Sequence, residues 1–213
     1  MASRDPRVHR HDVEQRLRGT APGGDPLDAW IAGLTPEQTS GLRRQLPASF
    51  ARAAVMVPLV ERPEGLTVLL TQRASHLKNH PGQISFPGGR IEPQDAGPWE
   101  AALRETREEI GLEASFASLA GYLHDHMVLT GYLITPAVAF VRPGFSLQLD
   151  RTEVDDVFEV PLEFVLDPAH HVPRTRTFGG HEFLTHDIPF GERHIWGATA
   201  GMLVALWRML RED

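Results

Sequence analysis

The residues best placed to do chemistry lie between Phe86 and Leu112. Phe86-Pro87-Gly88-Gly89 leads into a short loop carrying Glu92 and Asp95. The run Arg104-Glu105-Thr106-Arg107-Glu108-Glu109-Ile110-Gly111-Leu112 follows. On a helical wheel at about 100° per residue, with Leu103 at zero, Thr106 and Ile110 fall near 300° and 340° and form the buried stripe. Glu108, Glu105 and Glu109 fall near 140°, 200° and 240°, on one arc opposite that stripe. Three carboxylates this close repel by a few tenths of a kcal/mol per pair, and Glu105 and Glu109, at i and i+4, reach a common cation. A hard divalent ion such as Mg²⁺ reverses the sign of that repulsion and bridges to phosphate oxygens. It then orients a phosphoryl group, neutralises a leaving oxygen and activates water. Gly88-Gly89 permits close backbone approach and offers a carbonyl to the metal. A Glu-rich helix is most often a solvated face, with Arg104–Glu108 an ordinary i, i+4 pair. What favours a metal site is the rarer combination of a Gly-Gly turn after a strand, an acidic loop and an immediate glycine stop.

These residues need a scaffold, and the sequence outlines one. Ala53–Val60 and Leu66–Thr71 read as strands joined by Arg62-Pro63-Glu64-Gly65. His80–Gly89 reads as a Gly/Pro-punctuated loop, and residues 97–110 as a helix stopped by Gly111. Leu119–Leu123 and Leu133–Val141 are further strands. Thr175–Ile188 is a hairpin turning at Gly179-Gly180, and Gly197–Arg211 a closing helix. Trp196, Met202, Leu203, Leu206 and Trp207 follow roughly helical spacing and read as core or interface, not as a platform for adenine. Strands around one central and one C-terminal helix imply an α+β or α/β sandwich. Residues 1–50 read as an N-terminal helical extension, with a short helix around 10–18 and another from Pro36 to about Leu46, and residues 51–213 as the main domain.

Composition narrows the chemistry. The 213 residues hold 21 Lys+Arg against 28 Asp+Glu, a net charge of −7, which argues against nucleic acid and anionic membrane as partners. No cysteine is present, which excludes thiolate metal sites and a Cys nucleophile and fits a reducing cytosol. The longest apolar-rich stretch, Ile195–Trp207, is shorter than the roughly 18–20 residues of a membrane helix. The N-terminus lacks the apolar segment of a signal peptide. His76, His80, His124 and His126 lie near the proposed cleft, where a surface or structural role is the ordinary expectation.

The segment resembles the signature of the Nudix hydrolases: Gly, five residues, Glu, seven residues, then Arg-Glu-hydrophobic-any-Glu-Glu-any-Gly-hydrophobic. Gly89, Arg104, Glu105, Glu108, Glu109, Gly111 and Leu112 match. Asp95 stands where Glu is usual, eight residues rather than seven separate it from Arg104, and Thr106 replaces the hydrophobic residue. Upstream, Leu69-Leu70-Thr71-Gln72-Arg73-Ala74-Ser75, Lys78, Gly82 and Phe86-Pro87-Gly88-Gly89 look like the extra motif of the coenzyme A pyrophosphatase branch. Lys78 replaces its usual Arg. The resemblance covers about residues 50–208.

The resemblance implies an α/β/α sandwich with a mixed sheet, and Mg²⁺- or Mn²⁺-dependent hydrolysis of a diphosphate. For this branch the substrate is coenzyme A or a derivative, and the products are adenosine 3′,5′-bisphosphate and 4′-phosphopantetheine. Glu105 and Glu109, then Glu108, with the Gly89 carbonyl, are the expected metal ligands. Glu92 and Asp95 are candidates for further metal through water. Glu109, Glu108 or the outlying Glu153 is the expected base. Arg104 is expected to hold the carboxylates in place, and Arg73 and Lys78 to bind substrate phosphates. Two alternatives stand beside this: hydrolysis of NADH or ADP-ribose, and a non-catalytic nucleotide-binding module.

Overall fold

The computed structural model describes residues 7–24, 35–37, 39–40, 49–128, 131–178 and 181–211. Most of the expected second N-terminal helix and the Gly179-Gly180 turn lie outside them. Eleven strands and four helices are described. The helices are α1 (Arg10–Leu17), α2 (Pro98–Ile110), the single turn α3 (Leu162–Val165) and α4 (Gly197–Arg211).

The centre of the molecule is a parallel pair. β1 (Ala51–Arg62) runs beside β7 (Tyr132–Val141), with Ala51 opposite Tyr132 and Val60 opposite Val141. On its other side β1 pairs antiparallel with β4 (Gly88–Arg90) through Ala53–Val55, and with β2 (Gly65–Arg73) through Leu59–Arg62. Pro58 falls between those two ladders, where its missing N–H costs no bond on that side. Met56 fills the same gap by donating its N–H to the Pro87 carbonyl at 2.9 Å. β3 (Ile84–Ser85) and β8 (Val154–Pro161) pair with β2, and β5 (Ala117–Tyr122) and β6 (His126–Val128) with β7, completing a mixed eight-stranded sheet. β9 (Val172–Phe178), β10 (His181–Phe190) and β11 (Arg193–Ile195) form a separate antiparallel sheet.

Alternation along β1 divides the core in two. Ala54, Met56 and Val60 pack with Ala101, Ala102 and Ile110 of α2. Val55, Val57 and Leu59 pack with Val13 and Leu17 of α1 and with Leu203 and Leu206 of α4. A helix layer therefore lies on each face of the sheet, the α/β/α sandwich expected. The segment read as one loop, 80–89, contains β3 and the start of β4. Runs of two or three residues carry no period to read. Among the described residues no helix is long and apolar enough to cross a membrane.

α1 is anchored as firmly as the later elements. Val13 and Leu17 are fully buried, and the Thr20 hydroxyl accepts from the Tyr122 N–H at 2.8 Å. Leu17→Ala is expected to cost about 2–5 kcal/mol, measured as a drop in urea midpoint at constant m-value. A loss below about 0.5 kcal/mol would show that α1 adds little to the stability of the domain.

Candidate active site

α2 positions the carboxylates. Pro98 opens it, and Gly111, at φ 69°, closes it with its N–H on the Arg107 carbonyl. Its small residues Ala101 and Ala102 let the helix approach β1 and β4 closely. Glu109 is carried into that interface. It is only 6% exposed, and one of its oxygens accepts from the Gly88 N–H at 3.1 Å. This corrects the wheel reading, which put all three glutamates opposite the buried stripe. The buried arc is wider than Leu103, Thr106 and Ile110 and reaches Glu109.

The two glycines of β4 are required by space. At Gly88 the backbone has φ 153°, and a Cβ would lie 2.3 Å from the Ala54 carbonyl oxygen. At Gly89 a Cβ would lie 2.4 Å from the carboxyl carbon of Glu105. At these two positions, therefore, β4 fits beside β1 and the glutamates only without a side chain.

Arg104 ties the outer side together. Its Nε and Nη2 donate to the two oxygens of Asp95 at 3.1 and 3.0 Å. Nη1 donates to Glu105 at 2.8 Å and to Glu108 at 3.1 Å, and Nη2 also reaches the Arg90 carbonyl at 3.0 Å. Asp95 further accepts from the Glu92 N–H at 2.8 Å. The Arg104 guanidinium holds the Asp95 carboxyl below the usual range. Asp95 is thus engaged in orienting Arg104, and the Glu92 carboxylate in a hydrogen bond from the Gln94 amide. Glu108 is the most exposed of the three helix glutamates.

Burial pushes Glu109 up to about 8, with the negative charges of Glu153 and Glu105 adding to the effect and the Gly88 N–H and Arg73 opposing it. Burial also raises Glu105, against the pull of Arg104, and Glu108 and Glu153 add to the rise. Glu153 lies in the turn before β8 and receives the Ala74 N–H on its carbonyl at 2.8 Å. Arg73 ends β2, and its buried Nε has no hydrogen-bond partner. Glu105, Glu153 and Arg73 are thus close enough to act on Glu109, and Glu153 on Glu105. Lys78 is exposed in the β2–β3 loop.

This donor set is hard oxygen at a buried excess of negative charge, which suits a hard divalent cation. Among the described residues no three His, Asp or Glu side chains form a ready cage. Two carboxylates with backbone and water oxygens are the usual way Mg²⁺ is held. Of the histidines, His76, His80 and His124 are exposed, and burial lowers His126 to about 4 beside Gly201. Trp196, read as core or interface, is 36% exposed and lies immediately before α4. Spacing did not signal the pair formed by Arg90 and Tyr132, in which Arg90 donates to the phenol oxygen at 3.1 and 2.7 Å beside Gly89.

Gly89→Ala is expected to displace Glu105 and to cost at least tenfold in activity with a folded chain, read by kcat/KM and circular dichroism. Glu109 gives a pH signature. Folded, it keeps its proton to about pH 8, whereas its ordinary value is 4.5. Between those values the folded chain binds more protons than the unfolded one, so the metal-free protein loses stability as pH rises. Relative to Glu109→Gln, wild type should therefore weaken from pH 5 to pH 8 in denaturant titrations. His126, which acts in the opposite direction, is common to both and cancels. Parallel curves for the two proteins would remove Glu109 as the source.

Comparison with known proteins gives the same frame. Residues 50–178 match the NUDIX domain family. The chain is 37% identical over 152 residues to Nudix hydrolase NudL of Enterobacter sp. strain 638, covering 71% of this chain and 79% of that protein. It is 37% identical over 153 residues to NudL of Escherichia coli K12, with the same coverage. Both relatives are described as uncharacterized. A Nudix hydrolase from M. smegmatis, RenU, shares the fold at a TM-score of 0.52 and 20% identity, covering 77% of this chain and 85% of that one. The chain belongs to the Nudix hydrolases, divalent-metal-dependent enzymes acting on phosphoanhydride bonds.

Proposed function

We propose that the chain hydrolyses the diphosphate of coenzyme A or its derivatives to adenosine 3′,5′-bisphosphate and 4′-phosphopantetheine or its acyl form. One observation carries the reading of a diphosphate site. Arg73, half-buried and with a buried, unpartnered Nε, lies close enough to the buried Glu109 to influence its charge. An anion placed between a divalent cation and Arg73 satisfies both. The coenzyme A assignment is supported by the run from Leu69 to Ser75, Lys78, Gly82 and Phe86–Gly89. This run forms the end of β2, its following loop, β3 and the entry to β4.

Glu105 and Glu109, with Glu108 and the Gly89 carbonyl, would hold Mg²⁺ or Mn²⁺. The bound ion would supply charge neutralisation at the phosphates and a more acidic water. Arg104, braced by Asp95, keeps Glu105 and Glu108 in their rotamers. Arg73 and Lys78 bind diphosphate oxygens, Arg73 with the planar geometry that Lys78 lacks. Water attacks one phosphorus, the bridging P–O bond breaks, and Glu153, exposed at the rim, takes the proton. Both products leave as phosphomonoesters. The cysteine-free composition suits the cytosol, which we propose as the location, with a small molecule and not nucleic acid or membrane as the partner.

Lys78 favours one second reading, turnover of NADH or ADP-ribose by the same machinery, because lysine binds phosphate as a point charge. The intact Glu105, Glu108 and Glu109 speak against a binding module without catalysis.

A panel of coenzyme A, acyl-coenzyme A, NADH and ADP-ribose with Mg²⁺ or Mn²⁺, read by product identity, is expected to show the two named products. Fast ADP-ribose turnover without coenzyme A turnover would overturn the substrate assignment. Glu109→Gln should lower kcat by about a hundredfold or more, and Arg104→Gln by about ten- to a hundredfold with weaker metal affinity. Wild-type activity in Glu109→Gln would remove the metal-site assignment.

A further inference from the structure

A second concentration of charge lies on the sheet β9–β10–β11. Its register sets Arg176 opposite Phe183, Arg174 opposite Thr185 and Asp187 opposite Val172, with His194 opposite Pro189. Alternation puts Arg174, Arg176, Asp187 and His194 on one face. Asp187, 4% exposed, accepts from Arg174 Nε at 3.1 Å and from Arg176 Nη2 at 3.4 Å, and lies 3.1 Å from His194 Nε2. A single carboxylate is therefore shared by two guanidiniums and an imidazole, whose side chains are 57%, 48% and 57% exposed. One negative charge does not balance the two guanidiniums, so the face stays positive in a chain that is acidic overall.

The Arg176 guanidinium also lies 5.3 Å from the centroid of the exposed Trp196 indole. His194 and Trp196, with Gln72, Gly82, Ile84 and Arg193, line a cleft of about 710 Å³, the volume of a site for a nucleotide-sized molecule. Arg193 is committed to Asp156 at 2.7 Å, and Glu192 places one negative charge at the rim. The cleft adjoins the glutamates along the chain. Gln72 precedes Arg73, and Ile84 lies four residues before Gly88, whose N–H holds Glu109. Four extended residues span at most about 14 Å, within the length of one dinucleotide-sized substrate.

We infer that this cleft, with the arginine face that meets it at His194 and Trp196, receives the phosphorylated nucleoside end of the substrate, with the base against Trp196 and a phosphomonoester on Arg174, Arg176 and His194. The chemistry matches at each point. A guanidinium presents a fork of donors to phosphate, and a doubly charged phosphomonoester is the anion that an under-neutralised Arg pair binds best. An indole carrying a guanidinium is a stacking surface for a base. The identity of the phosphomonoester, the 3′-phosphate of coenzyme A, rests on the function proposed above. The site would separate coenzyme A from dephospho-coenzyme A, which differ in that group alone.

The test measures kcat/KM for both compounds with the full chain. It also measures binding of adenosine 3′,5′-bisphosphate in EDTA by calorimetry and tryptophan fluorescence. Wild type should favour coenzyme A by about tenfold or more. Arg174→Gln/Arg176→Gln should bring the ratio near one, mainly through KM. Trp196→Ala should weaken both substrates, Trp196→Phe should restore them in part, and Arg142→Gln, a charge control just beyond the end of β7, should leave the ratio as in wild type. A folded double-Gln variant with the wild-type ratio and wild-type bisphosphate affinity would overturn the inference. If neither compound is turned over, the coenzyme A reading fails and bisphosphate binding alone decides the cleft. Binding lost in the double variant supports it; binding that is absent in wild type or undiminished in the variant overturns it.

Discussion

The site depends on a carboxylate kept out of water. Glu109 has one neutral donor, the Gly88 N–H, where an exposed glutamate would have several waters. Burying a charge so sparsely compensated costs several kcal/mol unless it is neutralised. The protein leaves two ways to neutralise it, a proton or a cation. Much of the neighbouring structure follows from holding that choice open. Gly88 and Gly89 leave no Cβ between β1 and the glutamates. Arg104 is drawn to the outside by Asp95, where it pairs Glu105 and Glu108 without reaching Glu109. The rigid packing of α2 on β1 fixes the spacing.

The sheet separates two tasks. On the α2 face it carries the glutamates. The other face packs against α1 and α4, and the β9–β11 sheet stands next to α4 with its own cluster of arginines. β2 belongs to both, since Leu69 faces α2 while Leu70 packs toward α4, and its end carries Gln72 and Arg73 in succession. A two-residue strand, β3, joins it there. The end of β2 therefore links the glutamates, through Arg73, with the Trp196 cleft, through Gln72.

Much of this was legible in the sequence. Pro98 and Gly111 mark α2, and apolar runs mark β1, β2 and β7. What was missed has physical causes. A hydropathy wheel ranks residues by polarity, so it cannot show that Ala101 and Ala102, being small, bring the sheet close enough to bury Glu109. The Arg104–Asp95 bond crosses a loop and obeys no helical period. Asp187 and its arginines come from facing strands, where alternation is visible but register is not.

The β1–β7 pairing has a consequence for how the molecule forms. Ala51 and Tyr132 are partners, so the parallel core closes over about eighty residues of chain, with a corresponding loss of loop entropy. β2, β4 and the whole of α2 lie within that loop. Local hairpins such as β1–β2 and β9–β10 have short closures and gain contacts early, whereas the central ladder belongs to the slow, high-contact-order class. A nascent chain therefore exposes an unpaired β1 edge until β7 has been synthesised, and an unpaired β2 edge until β8 follows.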